Sequence, residues 1–139
     1  MAKTICKLLG VVFLLVGIAG FVKIDLLGAH LSMAHNLVHI LSGIIALYFG
    51  FAGSLSGARG FSLAFGAVYL LLGICGFILG KPGTPGGAMA GMGPDSRLWS
   101  LIPNTLEFGT ADHAIHVLLG IVFLIGALMT RTDGGRAVD

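Results

Sequence analysis

Residues 5–22, 34–52, 61–79 and 111–129 form four apolar runs, and apart from Lys7 and Asp112 none of them holds a formal charge. A helix of about 20 such residues crosses the hydrocarbon core of a bilayer, so few architectures remain open to this chain. The rest of the sequence offers water little to solvate. Of its 139 residues 10% are charged and 56% hydrophobic, against roughly 25% charged in a soluble domain. Mean hydropathy is +1.00. Lipid is therefore the expected solvent, and one domain, residues 1–139, the expected size. The first run follows Lys3 and Lys7 and ends near the small residue Ala19, much as a secretory leader would. Its kinship with the third run argues instead for a permanent helix.

That kinship is specific. Residues 10–22 and 66–78 are identical at eight of thirteen positions, and residues 34–50 and 111–127 at six of seventeen, His39 matching His116 and Gly43 matching Gly120. The pattern predicts a tandem duplication of a helix pair: repeat one over residues 5–52, repeat two over 61–129, with an insertion at 80–110. Two helices return the chain to its starting side, so the repeats run parallel, related by a pseudo-two-fold axis along the membrane normal. The expected fold is an all-α, four-helix transmembrane bundle. Gly17 and Gly20 recur as Gly73 and Gly76, and His39, Gly43, Ala46 and Gly50 share one helical face. Small residues of this kind let helices approach closely in lipid.

Residues 80–95 contain six glycines and three of the four prolines, which rules out a regular helix. Leu98, Trp99, Leu101 and Ile102, beside Arg97, read as a short interfacial segment with Trp99 at headgroup level. Met89 and Met92 are soft donors of the kind copper takes, though two methionines in a flexible loop more often bind nothing. The tail beyond Thr130 is polar. Cys6 and Cys75 lie about 20 Å apart in depth at 1.5 Å per helical residue, too far for an intramolecular disulfide.

Loop charge sets an orientation. Lys3, Lys7, Arg59, Arg131 and Arg136 fall on one side, and Lys23, Lys81 and Arg97 on the other with Asp25, Asp95, Glu107 and Asp112. The bias places both termini in the cytoplasm. A formal charge of +2, with no basic stripe, gives no reason to expect a nucleic-acid partner.

Four of the five histidines stand at two matching helix starts, His35 and His39 in one and His113 and His116 in the other. Each pair is spaced to share a helical face, with Asn36 and Asp112 beside them as oxygen donors. One reading is structural: Asn36 and Asp112 satisfy free N–H groups at a helix start, and the histidines hydrogen-bond within the bundle. Another is a site, since polar residues inside a membrane commonly mark function. In that reading His39, His116, His35 and His113 are the candidate cofactor-binding residues. A transition metal would take His39, His116 and Asp112, and haem or another tetrapyrrole is the alternative ligand. His39 and His116 should then converge near the outer surface, with Asp112 fixing a tautomer. No nucleophile–base pair, paired carboxylates or phosphate loop points to catalysis.

The twin pattern Asn36-x-x-His39-x-x-x-Gly43 and Ala111-Asp112-x-x-x-His116-x-x-x-Gly120 resembles a family of bacterial four-helix membrane proteins, catalogued as domain of unknown function 4383. The likeness extends to Leu101-Ile102-Pro103-Asn104 before the last run. The family pattern has Asn after the Asp of the second copy, where this chain has His113, a further potential ligand. The resemblance implies a fold and a bacterial origin and brings no activity with it. The chain is accordingly expected to be a non-enzymatic, multi-pass protein of the bacterial cytoplasmic membrane. Its expected partner is another membrane protein or further copies of itself, and a histidine-held cofactor is the rival role.

Overall fold

The computed structural model describes residues 1–131; the polar tail and Arg136 lie outside the described residues. Its elements in order are helix α1 (Ala2–Ala19), a 3₁₀ turn at Leu26–Gly28, α2 (Met33–Phe51) and α3 (Leu55–Leu79). Strand β1 (Lys81–Gly83), a 3₁₀ turn at Gly87–Met92, β2 (Asp95–Ile102), β3 (Leu106–Phe108) and α4 (Thr110–Leu128) complete it. All four helices are long and apolar enough to cross a membrane. The chain is mostly helical, but all-α is not correct. The insertion closes into a small antiparallel sheet of order β1-β2-β3, pairing Lys81 with Leu98 and Trp99 with Phe108. Glycine and proline break the helix there, while Leu98, Trp99, Leu101 and Ile102 suit a strand.

Helix boundaries follow capping chemistry more than the edges of the apolar runs. Ser32, not Asn36, caps α2, its hydroxyl accepting the His35 N–H at 3.2 Å. Ser54 caps α3, accepting Gly57 N–H at 3.0 Å, so the helix starts at Leu55, six residues before the apolar run begins. The extra turns carry Arg59, whose Nε donates to the Ala127 carbonyl at 3.2 Å near the end of α4, where a cation suits the helix dipole. At that same end Ala2 N–H donates to Thr130 Oγ1 at 2.7 Å, and Cys6 packs on Ala58 and Ser62. Cys6 is buried, Cys75 half-buried, and both are free thiols.

α1 packs chiefly on α2, and α3 on α4. Positions that align in sequence make matching contacts. A Cβ added at Gly10 would lie 2.8 Å from Leu47, and at Gly66 2.7 Å from Leu124. One at Gly43 would lie 2.9 Å from Leu14, while Gly120 faces Leu70. Gly17 faces the Asn36 carbonyl and Gly73 the His113 carbonyl, at 2.8 and 2.7 Å. Gly20 and Gly76 form notches filled by the side chains of Asn36 and His113.

The bundle is polar within and apolar without. His35, Asn36, His39, Ser42, Ser62, Asp112, His113 and His116 are buried, whereas Leu15, Leu41, Leu71 and Leu118 stand outward. Between them lies an aromatic core: Phe13 stacks on Tyr69 at 5.4 Å and Phe123 at 6.1 Å, and Phe61 meets Phe123 edge-on at 5.9 Å.

Candidate functional site

Above this aromatic core, at the end bearing the sheet, four histidines and one carboxylate gather. His35 and His39 lie one turn apart on α2, their rings stacked at 4.4 Å. His116 of α4 approaches His35, ring centres 5.8 Å apart. Phe108 of β3 roofs the group, edge-on to both His35 and His116 at 5.1 Å. Beneath, Phe13 stacks on His39 at 5.5 Å and Tyr69 meets His116 edge-on at 5.4 Å. The α2 and α4 helices thus supply three of the imidazoles and the segment before α2 the fourth, His30, and β3 and the aromatic core hold the three in place.

Asp112 organises the polar side of the cluster. Its Oδ2 accepts Gly109 N–H at 2.8 Å, His30 N–H at 2.9 Å and His30 Nδ1–H at 3.1 Å. Position 112 is on the first turn of α4, where a carboxylate caps free N–H groups. His35 Nδ1–H donates to the His30 carbonyl at 2.8 Å. A carbonyl only accepts, so His35 carries its proton on Nδ1 and, when neutral, presents a lone pair at Nε2. Burial opposes a charge on His30, yet the hydrogen bond and charge of Asp112, with the charges of Asp95 and Glu107, outweigh it and raise His30 above its usual 6.5. Asp112 therefore does fix a tautomer, but that of His30, the one histidine outside the matched helix starts.

The expected set is brought together only in part. His35, His39, His116 and Asp112 line one cavity of about 150 Å³, walled otherwise by Val12, Val16, Leu31 and Ile115 among apolar neighbours. His113 does not join them. Its ring fills the notch at Gly76, edge-on to Phe77 at 5.4 Å, and its Nε2–H donates to the Arg97 carbonyl at 2.7 Å, tying β2 to the bundle. Its counterpart Asn36 fills the notch at Gly20 and donates to the Leu31 carbonyl at 3.3 Å.

Nor do His39, His116 and Asp112 form a metal set. Among the described residues no three His, Cys, Asp or Glu side chains are grouped to hold a metal ion. Asp112 is committed to His30 and Gly109, and the ring of His35 stands against those of both His39 and His116. A tetrapyrrole is too large, since pockets for ligands of even drug size run to about 300–1,000 Å³. Met89 is packed inside the insertion and serves as core there. Among the described residues four buried polar atoms have no hydrogen-bond partner: Nδ1 of His39 and of His116 at this cavity, and Nδ1 of His113 and Oδ1 of Asn36 in their glycine notches.

His30 was invisible to spacing arguments, because its partner Asp112 lies 82 residues away. Phe108 was equally hidden, inside a segment read as loop. The sheet that positions Phe108 is held by two carboxylates. Glu107 accepts from Gly86 N–H at 2.6 Å, Ser100 Oγ at 2.8 Å and Asn104 N–H at 3.2 Å. Asp95 accepts from the Thr110 hydroxyl at 2.7 Å and Arg97 N–H at 2.7 Å. Burial alone would raise both carboxyls, but these bonds outweigh it and hold both below the usual carboxylate value.

The chain belongs to the family described as Domain of unknown function (DUF4383), which matches residues 3–102. The match takes in His30, His35 and His39 and stops short of Asp112 and His116, so it covers less of the chain than the sequence resemblance suggested. No curated protein and no solved structure matches the chain.

Proposed function

We propose that this member of the family is a non-enzymatic integral protein of the bacterial cytoplasmic membrane. It crosses the bilayer four times as two parallel helix-pair repeats, termini inside, and serves as an accessory component of a larger membrane assembly. The observation that carries this reading is the inverted polarity of the bundle, with histidines, serines and Asp112 buried while each helix turns leucines outward. Such a surface is stable in lipid and not in water. The matching glycine contacts of the two helix pairs support the duplication. The plug of Phe13, Phe61, Tyr69 and Phe123 beneath the histidines supports an accessory role, because it fills the middle of the single bundle with packed aromatic rings.

A second reading, ligand binding at the histidine end, is favoured by the cavity and by the unpartnered Nδ1 atoms of His39 and His116 among its lining residues. Buried polar atoms without partners are rare enough to require a reason. One preparation separates the two. The full chain is extracted in mild detergent, and its native mass, absorption spectrum and metal content are measured. A complex heavier than the 14.3 kDa chain supports the accessory role, and a lone chain in every lipid tested contradicts it. A Soret band or stoichiometric metal would contradict the size and grouping arguments above.

A further inference from the structure

The histidine cavity has a size, a polarity and a mouth, and together they restrict what it can hold. Its volume is about 150 Å³. A cavity of about 150 Å³ walled by aliphatic side chains takes up benzene, so the space accommodates a group built on one six-membered ring. Every wall is apolar except the one bearing His35, His39, His116 and Asp112. On that wall Oδ2 of Asp112 is taken up by His30 and Gly109, and His35 has given its Nδ1–H to a carbonyl. His39 and His116, only 5% and 3% exposed and each with Nδ1 unpartnered, add free hydrogen-bonding capacity to the lone pair of His35 Nε2 and to Oδ1 of Asp112. A neutral imidazole offers one donor and one acceptor. The wall can therefore give a hydrogen bond to a ring carbonyl or take one from a ring hydroxyl.

The mouth opens sideways. Leu26 and Leu27 of the turn after α1 line the cavity with Val12, and Val12 and Leu27 also form part of the outer apolar surface, Leu27 being 80% exposed. Val12 lies seven residues before the end of α1, about 10 Å down the helix at 1.5 Å per residue. At that depth the opening faces acyl chains, so an apolar tail on the ring could stay in lipid while the ring enters.

We propose that this cavity binds the ring of a lipid-soluble quinone or quinol, held by His39 and His116, with its tail leaving between Val12 and Leu27. The assignment rests on the second reading above, that the histidine end is a binding site. His39 and His116 supply the hydrogen bonds, His30 and Asp112 position α4 against the loop that forms the lip, and Phe108 closes the roof.

The test uses the full chain in lipid nanodiscs, titrated with 2-decyl-1,4-benzoquinone and followed by calorimetry and by quenching of the single tryptophan. The result expected is saturable binding of one quinone per chain, weakened at least about tenfold in His39→Leu and in His116→Leu. Val12→Phe, which narrows the mouth and leaves both histidines and the single tryptophan in place, should also weaken binding while melting as the wild type does. Decylbenzene, which lacks the oxygens, should not saturate. Decylbenzene binding as tightly as the quinone, or both histidine variants binding normally, would overturn the proposal, because the signal would then be partition into lipid. Saturable, histidine-dependent binding of decanoate in place of the quinone would overturn the ring assignment and leave the binding-site reading standing. If none of the three probes binds, and His39→Leu/His116→Leu melts above the wild type, both fail and the histidines are structural.

Discussion

Replacing Gly73 by alanine puts a methyl carbon 2.6 Å from Val117 Cγ2 and 2.7 Å from both the Val117 nitrogen and the His113 carbonyl oxygen. Two of these three atoms are α4 backbone, so no rotamer change relieves them. Carbon contacts relax only at about 3.5–4.0 Å, and α3 and α4 must part by most of an ångström. Overpacking of this kind costs about 1–3 kcal/mol, and rigid backbone neighbours put Gly73 toward the upper end. Alanine returns about 1 kcal/mol through helix propensity, leaving a net loss of about 1–2 kcal/mol. Gly60 is the internal comparison, since a Cβ there meets nothing within 4 Å, and Gly60→Ala should gain up to about 1 kcal/mol. The two variants should therefore move in opposite directions when the full chain is melted in mild detergent. A Gly73→Ala protein melting at or above the wild type would refute the close approach of α3 and α4.

Three further expectations concern topology and pH. In a background with Cys6→Ser and Cys75→Ser, a membrane-impermeant thiol reagent applied to intact cells should label Thr84→Cys and spare Ser56→Cys; the reverse pattern would invert the orientation. Because Asp95 and Glu107 are held below the usual carboxylate range, their contribution is present above the unfolded values and lost as pH falls through the folded ones. Melting temperature should drop below about pH 4, and Glu107→Gln should flatten that drop; an unchanged slope would mean Glu107 does not hold the sheet. His30 is raised above 6.5, so its pairing stabilises fully below that value and fades as pH climbs through the folded one. His30→Asn should remove this loss on the alkaline side, and a variant that retains it would separate His30 from Asp112.

What the sequence disclosed follows from the range of each interaction. Helix count and glycine register were legible because both are written in short periods. Gly17 and Gly73 sit in near-identical strings, and each faces a carbonyl of its partner helix. His39 and His116 were legible as a pair for the same reason. The departures are long-range or local-chemical. Asn36 and His113 occupy aligned positions at a helix start, yet both serve to fill glycine notches, which spacing does not encode. The early start of α3 was set by Ser54 and not by hydropathy. The sheet arose where turn residues hid a strand, and with it came Phe108 over the histidines. His30 entered the site through a partner 82 residues away that no local pattern could name.

The central claim is that a bilayer, and not water, surrounds the four helices while the polar residues stay inside. Spin labels at Leu15, Leu41, Leu71 and Leu118, one on each helix and 59–62% exposed, measure it directly by relaxation in vesicles with oxygen and with a water-soluble nickel chelate. All four labels should respond strongly to oxygen and hardly to the chelate, whereas a label at Thr84 should do the opposite. Chelate access at any of the four helix positions comparable to that at Thr84 would contradict it.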